Sequence, residues 1–233
     1  MITTKAELHL EREISDRLFV ISVKLQRYKQ WIPGMFMQIS LKERSASEPW
    51  LDGHSFSFAS WGDEKASILV RKEGFFTSEL VERSKEGFTT SVRYPLGDFQ
   101  LNSERDKVFL SAGAGVSVFL SYLDYIKLSK IISGYTFLFH SANEIRESVT
   151  NIYKKSIPGS VMIKQFITNP DETGYTGRLT VENLKITLND LKNKDYFICG
   201  PPNFNSKLFN ELDYIGIHAK VEQWERRSLS IFS

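Results

Sequence analysis

One cysteine, Cys199, stands in 233 residues. A single thiol excludes an intrachain disulfide framework, a zinc site built from cysteine pairs, and an iron–sulfur cluster ligated by this chain alone. It also suits a reducing compartment. Long apolar runs are missing too: none approaches the ~18 residues of a membrane span, and the opening MITTKAELHLER carries charge where a signal peptide needs an apolar core. The expectation is a soluble, cytoplasmic protein without membrane insertion. Net charge is nearly absent. Thirty Lys+Arg against 28 Asp+Glu leave a formal +2, so no basic field points to nucleic acid. With 41% hydrophobic and 25% charged residues the chain is globular rather than disordered, and its length suits two domains of about 100 to 130 residues. No internal repeat or low-complexity linker is visible.

The two halves carry different periodicities. In the first, apolar residues alternate: Phe19, Ile21, Val23 and Leu25, then Met35, Met37, Ile39 and Leu41. Period two predicts antiparallel strands with one buried and one wet face. Further short runs lie at 55–60, 67–72 and 88–93, punctuated by Pro33-Gly34, Asp52-Gly53 and Pro95-Leu96-Gly97, with one helix from Thr77 to about Ser84. That pattern predicts a small barrel or sandwich. From about residue 106 strands alternate with helices. The spacing predicts strands at 108–111, 135–140, 160–166, 196–199 and 217–224, and helices after Gly115 and over 143–155, 180–192 and 203–212. Such alternation means a parallel sheet with crossovers on its faces. The fold class is therefore an antiparallel β domain followed by an α/β domain, divided in the polar stretch 101–107.

Parallel sheets bind ligands beyond the carboxyl ends of their strands. Those ends carry SAGAG (111–115), HSANE (140–144) and CGPP (199–202). Gly113 and Gly115 close a strand and open a helix, where backbone N–H groups favour a phosphate, although G-x-G-x-x-V lacks the third glycine of the dinucleotide fingerprint. Cys199-Gly200-Pro201-Pro202 forces a sharp exit with proline near a helix start. Nothing places a cation beside Cys199, so no nucleophile is inferred. In HSFSFAS (54–60), Phe56 and Phe58 share one face and Ser55, Ser57 and Ala59 the other. Gly74 and Thr77 precede a helix with Thr77 as the expected N-cap, which offers either a cap alone or a second anion site.

In order and spacing these segments resemble the flavin-dependent ferredoxin–NADP⁺ reductase superfamily across nearly the whole chain. Its R-x-Y-S-x-A-S stretch is similar to His54-Ser55-Phe56-Ser57-Phe58-Ala59-Ser60, and its G-x-x-S/T loop to Gly74-Phe75-Phe76-Thr77. Its G-P-x-G-x-F turn resembles Tyr94-Pro95-Leu96-Gly97-Asp98-Phe99, and its nucleotide loop resembles residues 112–118. C-G-P-P is intact at 199–202, and the closing E-x-F is similar to Glu222-Gln223-Trp224. The departures are His54 for arginine, Phe56 for tyrosine, Ala114 for threonine and Val118 for proline.

The resemblance implies a flavin-binding barrel over 1–103 and an NAD(P)-binding domain over 104–233. FAD (or FMN) is the implied cofactor, with NAD(P)H as cosubstrate and hydride passing from nicotinamide C4 to flavin N5. Ser57 would hydrogen-bond near N5, Cys199 would sit beside the nicotinamide, and Glu222 would relay a proton. His54, Ser55, Phe56, Phe58, Gly74, Phe75, Phe76 and Thr77 would hold the flavin, with Arg71 supplying the charge that His54 lacks above about pH 6.5. Gly113, Ala114, Gly115, Ser141, Gly200 and Pro201 would hold the nucleotide. Ser141, Asn143, Glu144 and Arg146 leave NADH and NADPH both open. Trp224 closes the site, and Phe232 is the terminal aromatic that would cover the flavin. The implied acceptor is a small redox protein such as ferredoxin or flavodoxin; the alternatives are free flavin, or a place as reductase subunit in a larger complex.

Overall fold

The structure is a computed structural model and describes residues 1–101, 103–130 and 134–222. Its first sheet contains β1 (Ile2–Ser15), β2 (Leu18–Leu25), β3 (Phe36–Ile39), β4 (His54–Ser57), β5 (Lys65–Arg71) and β6 (Phe88–Leu96), with helix α1 (Phe75–Glu86) between the last two. The spatial order is β4-β3-β6-β1-β2-β5, and each pairing is antiparallel. A bridge between Phe58 and Ile68 brings the two edges together, so the sheet is nearly a closed barrel. Ala6, Leu8, Ile21, Val23, Met37, Ile39, Phe56, Phe58, Ile68 and Val92 fill it. Trp31 lies flat on Phe58 with ring centroids 4.2 Å apart, and its indole N–H donates to the Ser60 carbonyl.

The second sheet contains β7 (Asp106–Ala112), β8 (Thr136–Ala142), β9 (Val161–Ile167), β10 (Lys194–Cys199) and β11 (Ala219–Val221). All pairings are parallel, in the order β11-β10-β7-β8-β9. Helices α2 (Ser117–Ser129), α3 (Val149–Ile152), α4 (Val181–Thr187) and α5 (Pro202–Tyr214) lie between these strands in sequence. The chain steps from β7 out to β9, then returns to the far side of β7 for β10. Ligand crevices form where the order reverses in this way, between the carboxyl ends of β7 and β10.

Several local expectations are corrected. A long strand, β1, occupies the charged N-terminal segment; its outward positions are polar, and its apolar alternation is confined to Ala6, Leu8 and Leu10. The outward face of β2 is wet only at Lys24: Phe19, Ile21 and Val23 line the barrel, while Leu18 and Val20 share a buried cluster with Phe119, Leu120 and Leu123 of α2. The helix foreseen over 143–155 is a 3-10 turn (Ile145–Glu147) followed by the single turn α3. Carbonyls that would continue α3 are taken by the other domain, because Arg12 donates to the Asn151 oxygen at 3.2 Å and the Ile152 oxygen at 2.6 Å. The helix foreseen over 180–192 stops at Thr187, whose hydroxyl bonds back to the Asn183 carbonyl while Leu188 turns inward, extended and buried.

Phe58→Ala would remove a fully buried ring from beneath Trp31. It is expected to cost about 3–5 kcal/mol of stability, read as a lower urea midpoint at unchanged m-value.

Candidate active site

The loop at 112–116 is shaped first by packing. Gly113 has φ +53°, a left-handed conformation that favours glycine, and opens a 3-10 turn leading into α2. Gly115 needs the absence of a side chain for another reason: a Cβ there would lie 2.3 Å from the Cys199 carbonyl oxygen and 2.9 Å from the Gly200 nitrogen. Gly200 is equally constrained, since its Cβ would meet the Phe204 ring at 2.7 Å. The SAGAG and CGPP segments therefore touch each other at the crevice mouth. Cys199 is fully buried at the end of β10. Pro201 caps α5 and Pro202 is its first residue, where a missing N–H costs nothing.

Arg71, at the end of β5, reaches out of the barrel to this loop. Its Nη2 and Nε lie 3.3 and 3.4 Å from where a Cβ on Gly113 would stand, and its Nη2 donates to Glu147 Oε2 at 2.6 Å. Ser15 Oγ donates to the other oxygen of Glu147 at 2.7 Å. His140 Nε2 lies 3.2 Å from the Glu147 carbonyl, which only accepts, so this nitrogen carries the proton and Nδ1 accepts from Ser111 Oγ at 2.8 Å. Burial holds the His140 pKa down to about 4. The guanidinium is thus placed at the nucleotide loop.

On the barrel side, β4 presents the expected segment. Phe56, Ser57 and Phe58 are buried, whereas His54 and Ser55 are exposed. The His54 ring stacks on Phe76 with centroids 3.8 Å apart, and Phe76 lies 6.2 Å from Phe56, near parallel. His54 and Phe76 thus stack face to face at the foot of α1, above Phe56, which the barrel core buries. The neighbouring Phe75 is 84% exposed, and the space around Gly74 is open. The helix start differs from expectation: Gly74 is the N-cap and Thr77 is the third helical residue. Thr77 Oγ1 accepts from the Glu73 and Gly74 N–H groups and donates to the Gly74 carbonyl, so it closes the turn. Among the described residues the Ser57 hydroxyl has no hydrogen-bond partner, and Ser57 makes no bond to Cys199 or Glu222.

Glu222 follows β11 and hands its N–H to the Ile198 carbonyl, while Asn205 of α5 donates to its own carbonyl at 3.0 Å. Burial, reinforced by the Asp98 carboxylate, pushes its side chain up to about 7. Asp98 belongs to the barrel's 95–99 turn, and the adjacent Phe99 packs edge-on against Phe197 of β10, with centroids 5.9 Å apart. The barrel turn and the β10–β11 end thus form one wall. Sequence reasoning missed Asp98, Ser111, His140 and Glu147 as members of this region; the prior signals were the place of Asp98 in the 94–99 turn and of Ser111 and His140 at strand ends. Ser141 is partly exposed at the end of β8, between Ala112 and Phe166. Arg146 pairs with Glu144 at 2.9 Å and Asp16 at 3.7 Å. Trp224 and Phe232 lie outside the described residues.

The residues fit the implied groups. Gly115 and Gly200 let the two strand-end loops close on each other, Arg71 offers donors over Gly113, and the His54–Phe76 stack offers ring surface near the Ser57 hydroxyl. Among the described residues no cluster of His, Cys, Asp and Glu would hold a metal, and no helix is long and apolar enough to cross a membrane.

Comparison with known proteins agrees with this geometry. No family model matches the chain. It is 28% identical over 189 residues to the flavohemoprotein of Bacillus subtilis (strain 168), covering 75% of this chain and 47% of that protein. It is 27% identical over 190 residues to the anthranilate 1,2-dioxygenase electron transfer component of Acinetobacter baylyi, covering 76% and 53%. The chain spans about half the length of the curated relatives it matches. Among solved structures, a flavohemoglobin from Malassezia yamatoensis with bound FAD and heme superposes with a TM-score of 0.79 at 17% identity, covering 97% of this chain and 61% of that one. A ferredoxin NADP⁺ reductase from Neisseria gonorrhoeae with bound FAD and NADP gives 0.73 at 15% identity, covering 94% and 98%. The chain has the two-domain fold of the ferredoxin–NADP⁺ reductase superfamily.

Because Glu222 holds its proton more tightly when folded than when unfolded, the native state binds the extra proton between about pH 4.5 and 7, and stability falls as pH rises across that window. Glu222→Gln is expected to flatten this slope, measured by urea unfolding at a series of pH values. Asp98→Asn is expected to shift the upper end of the window downward.

Proposed function

We propose that the chain is a flavin-dependent NAD(P)H oxidoreductase module that takes reducing equivalents from a nicotinamide nucleotide and passes them to an acceptor outside its described residues. The observation that carries this reading is the reversal of the parallel strand order between β7 and β10, where the Gly115 loop packs on the end of β10. Arg71 of the barrel reaches that loop, and β4 with α1 adds the His54–Phe76 stack and Ser57. The relatives support it: one is named an electron transfer component, and two superposing structures hold FAD.

When bound, a flavin supplies hydride acceptance and one-electron release, chemistry that side chains lack. The chain's own residues would do the rest. His54 and Phe76 would give FAD ring surface above the buried Phe56, and the open space at Gly74 with the first-turn N–H groups of α1 would receive its phosphates. Ser57 would donate its hydroxyl proton to the reacting flavin nitrogen. Gly113, Ala114, Gly115 and Arg71 would receive the nucleotide pyrophosphate, with Ser141 towards the ribose. Cys199, Gly200 and Pro201 would wall the nicotinamide, and Glu222, protonated near neutral pH, would hold a proton at the cleft wall for uptake. Arg146 is neutralised by Glu144 and Asp16, an arrangement that supports NADH over NADPH. The acceptor we favour is a small cytoplasmic redox protein such as ferredoxin or flavodoxin.

A specific observation favours a second reading, reduction of free flavin. Position 54 offers a stacked imidazole instead of a guanidinium, so one phosphate anchor is weaker. A protein purified with one equivalent of flavin would reject this second reading, while a colourless protein that oxidises NADH only when flavin is added would replace the first with it.

The deciding experiment is a visible spectrum before and after anaerobic NADH, then NADPH. Bleaching near the usual oxidised-flavin band of about 450 nm is expected, faster with NADH. A bound flavin that neither nucleotide bleaches would overturn the proposal. Ser57→Ala is expected to slow flavin reduction in stopped flow by about 10² while flavin content stays constant. Unchanged kinetics would reject its role.

A further inference from the structure

We infer that Glu147 is a positioning residue that aims the Arg71 guanidinium at the pyrophosphate of a dinucleotide lying on residues 112–116; this rests on the reading of that loop as the NAD(P)H site.

Arg71 belongs to the barrel, Glu147 to the α/β domain, and their 2.6 Å contact spans the interface. A lone arginine on a strand end samples many rotamers. Here one Nη2–H bond to a carboxylate that is 3% exposed anchors the guanidinium at one nitrogen. So anchored, the guanidinium lies over Gly113, the one loop residue with left-handed backbone and therefore no Cβ beneath the cation. Among the described residues Arg71 has no other hydrogen-bond acceptor, so its remaining N–H groups are available on the loop side.

Glu147 is itself held at both ends. Ser15 Oγ occupies its second carboxylate oxygen at 2.7 Å, and its carbonyl accepts from the protonated Nε2 of His140 at 3.2 Å. His140 is in turn fixed by Ser111, the residue immediately before Ala112 and the loop. The aim of Arg71 is therefore referenced through Glu147 and His140 to the strand end from which the loop departs. The other interface cations lack this geometry: Arg12 binds the carbonyls of 151 and 152, and Arg146 pairs at the surface with Glu144 and Asp16.

The test uses the flavin-loaded protein and ADP-ribose, which carries the pyrophosphate without nicotinamide, titrated calorimetrically beside adenosine. Glu147→Gln keeps the side-chain shape and removes the charge. It is expected to weaken ADP-ribose about tenfold, leave adenosine unchanged, and raise the nucleotide KM about tenfold while kcat moves less than about twofold. In an Arg71→Ala background, Glu147→Gln is expected to have no effect or to tighten ADP-ribose, since only a carboxylate near phosphate is then removed. Unchanged or tighter ADP-ribose binding with Arg71 present would overturn the inference, as would equal loss in both backgrounds. If Glu147→Gln fails to fold, Ser15→Ala, which frees one carboxylate oxygen, is expected to weaken ADP-ribose about two- to threefold, and no change would overturn the inference. A wild-type protein that binds no ADP-ribose and whose flavin no nicotinamide nucleotide reduces would defeat the functional reading and this one together. Wild-type binding that is indifferent to Glu147 would defeat this one alone.

Discussion

The arrangement of the cleft depends on an apolar seam between the outer face of the barrel and α2. Leu18, Val20, Ala59 and Leu69 belong to the same buried cluster as Phe119, Leu120, Leu123 and Cys199. Such burial brings two surfaces together but does not orient them, because it is non-directional. Orientation comes from polar bonds around the seam. Arg12 reaches the carbonyls of 151 and 152, Ser121 donates to the Ser60 carbonyl, and the Trp61 N–H faces the Asp124 carboxylate that also takes Tyr153 and Lys155. Relative domain motion is the default where interfaces are small and polar. Here a large apolar contact with directional bonds at its margin argues for one fixed orientation, and hence one cleft geometry.

The charged groups at this interface add little to stability on balance. A buried ion pair recovers in mutual attraction roughly what desolvation costs, so its retention asks for a different explanation. Specificity of placement is the natural one. Ser111, His140, Glu147, Ser15 and Arg71 form an unbroken chain from the end of β7, through the end of β8, to two strand ends of the barrel. Each carboxylate oxygen and each ring nitrogen in that chain has a partner, which is the condition under which a buried polar network rigidifies a structure instead of weakening it.

Much of the architecture was legible from periodicity, because strand and helix repeats leave different apolar patterns. β2, β3 and the strands of the parallel sheet could be placed this way, as could the turn at Cys199-Gly200-Pro201-Pro202. β1 was not, since Lys5, Glu7, His9 and Glu11 interleave its few apolar positions and resemble a polar leader. The wet face expected of β2 shrinks to Lys24 for a related reason: alternation identifies the barrel side, while Leu18 and Val20 on the other side are covered by a helix about a hundred residues away in sequence. α3 was overextended because a repeat in sequence cannot show Arg12 capturing its last carbonyls. Within the site, the glycines were visible but their cause was divided. Gly113 meets a guanidinium and Gly115 meets the end of β10, and neither neighbour is near in sequence. Glu147 had no signal at all, being one carboxylate in a mixed-charge stretch until the fold sets it against Arg71.

In the proposed reading these placements divide the binding forces unequally between two ligands. The His54–Phe76 stack offers ring surface for the flavin, and the family arginine is missing from it, so dispersion and apolar burial would carry most of the affinity there. The barrel's remaining arginine at this edge, Arg71, is directed away from that stack and onto the nucleotide loop. Directed donors are thus concentrated on the ligand that must arrive and leave in each cycle, with the Glu147 carboxylate balancing the charge of the guanidinium. Ring surface is concentrated on the ligand that must stay. An imidazole at position 54 is then less a defect in flavin binding than one half of an exchange: the site gives up a fixed cation beneath the flavin and keeps a held cation above the nucleotide. Added salt acts on these two terms differently, since it screens the second and leaves the first nearly untouched, so the two halves of the cleft are separable by ionic strength alone.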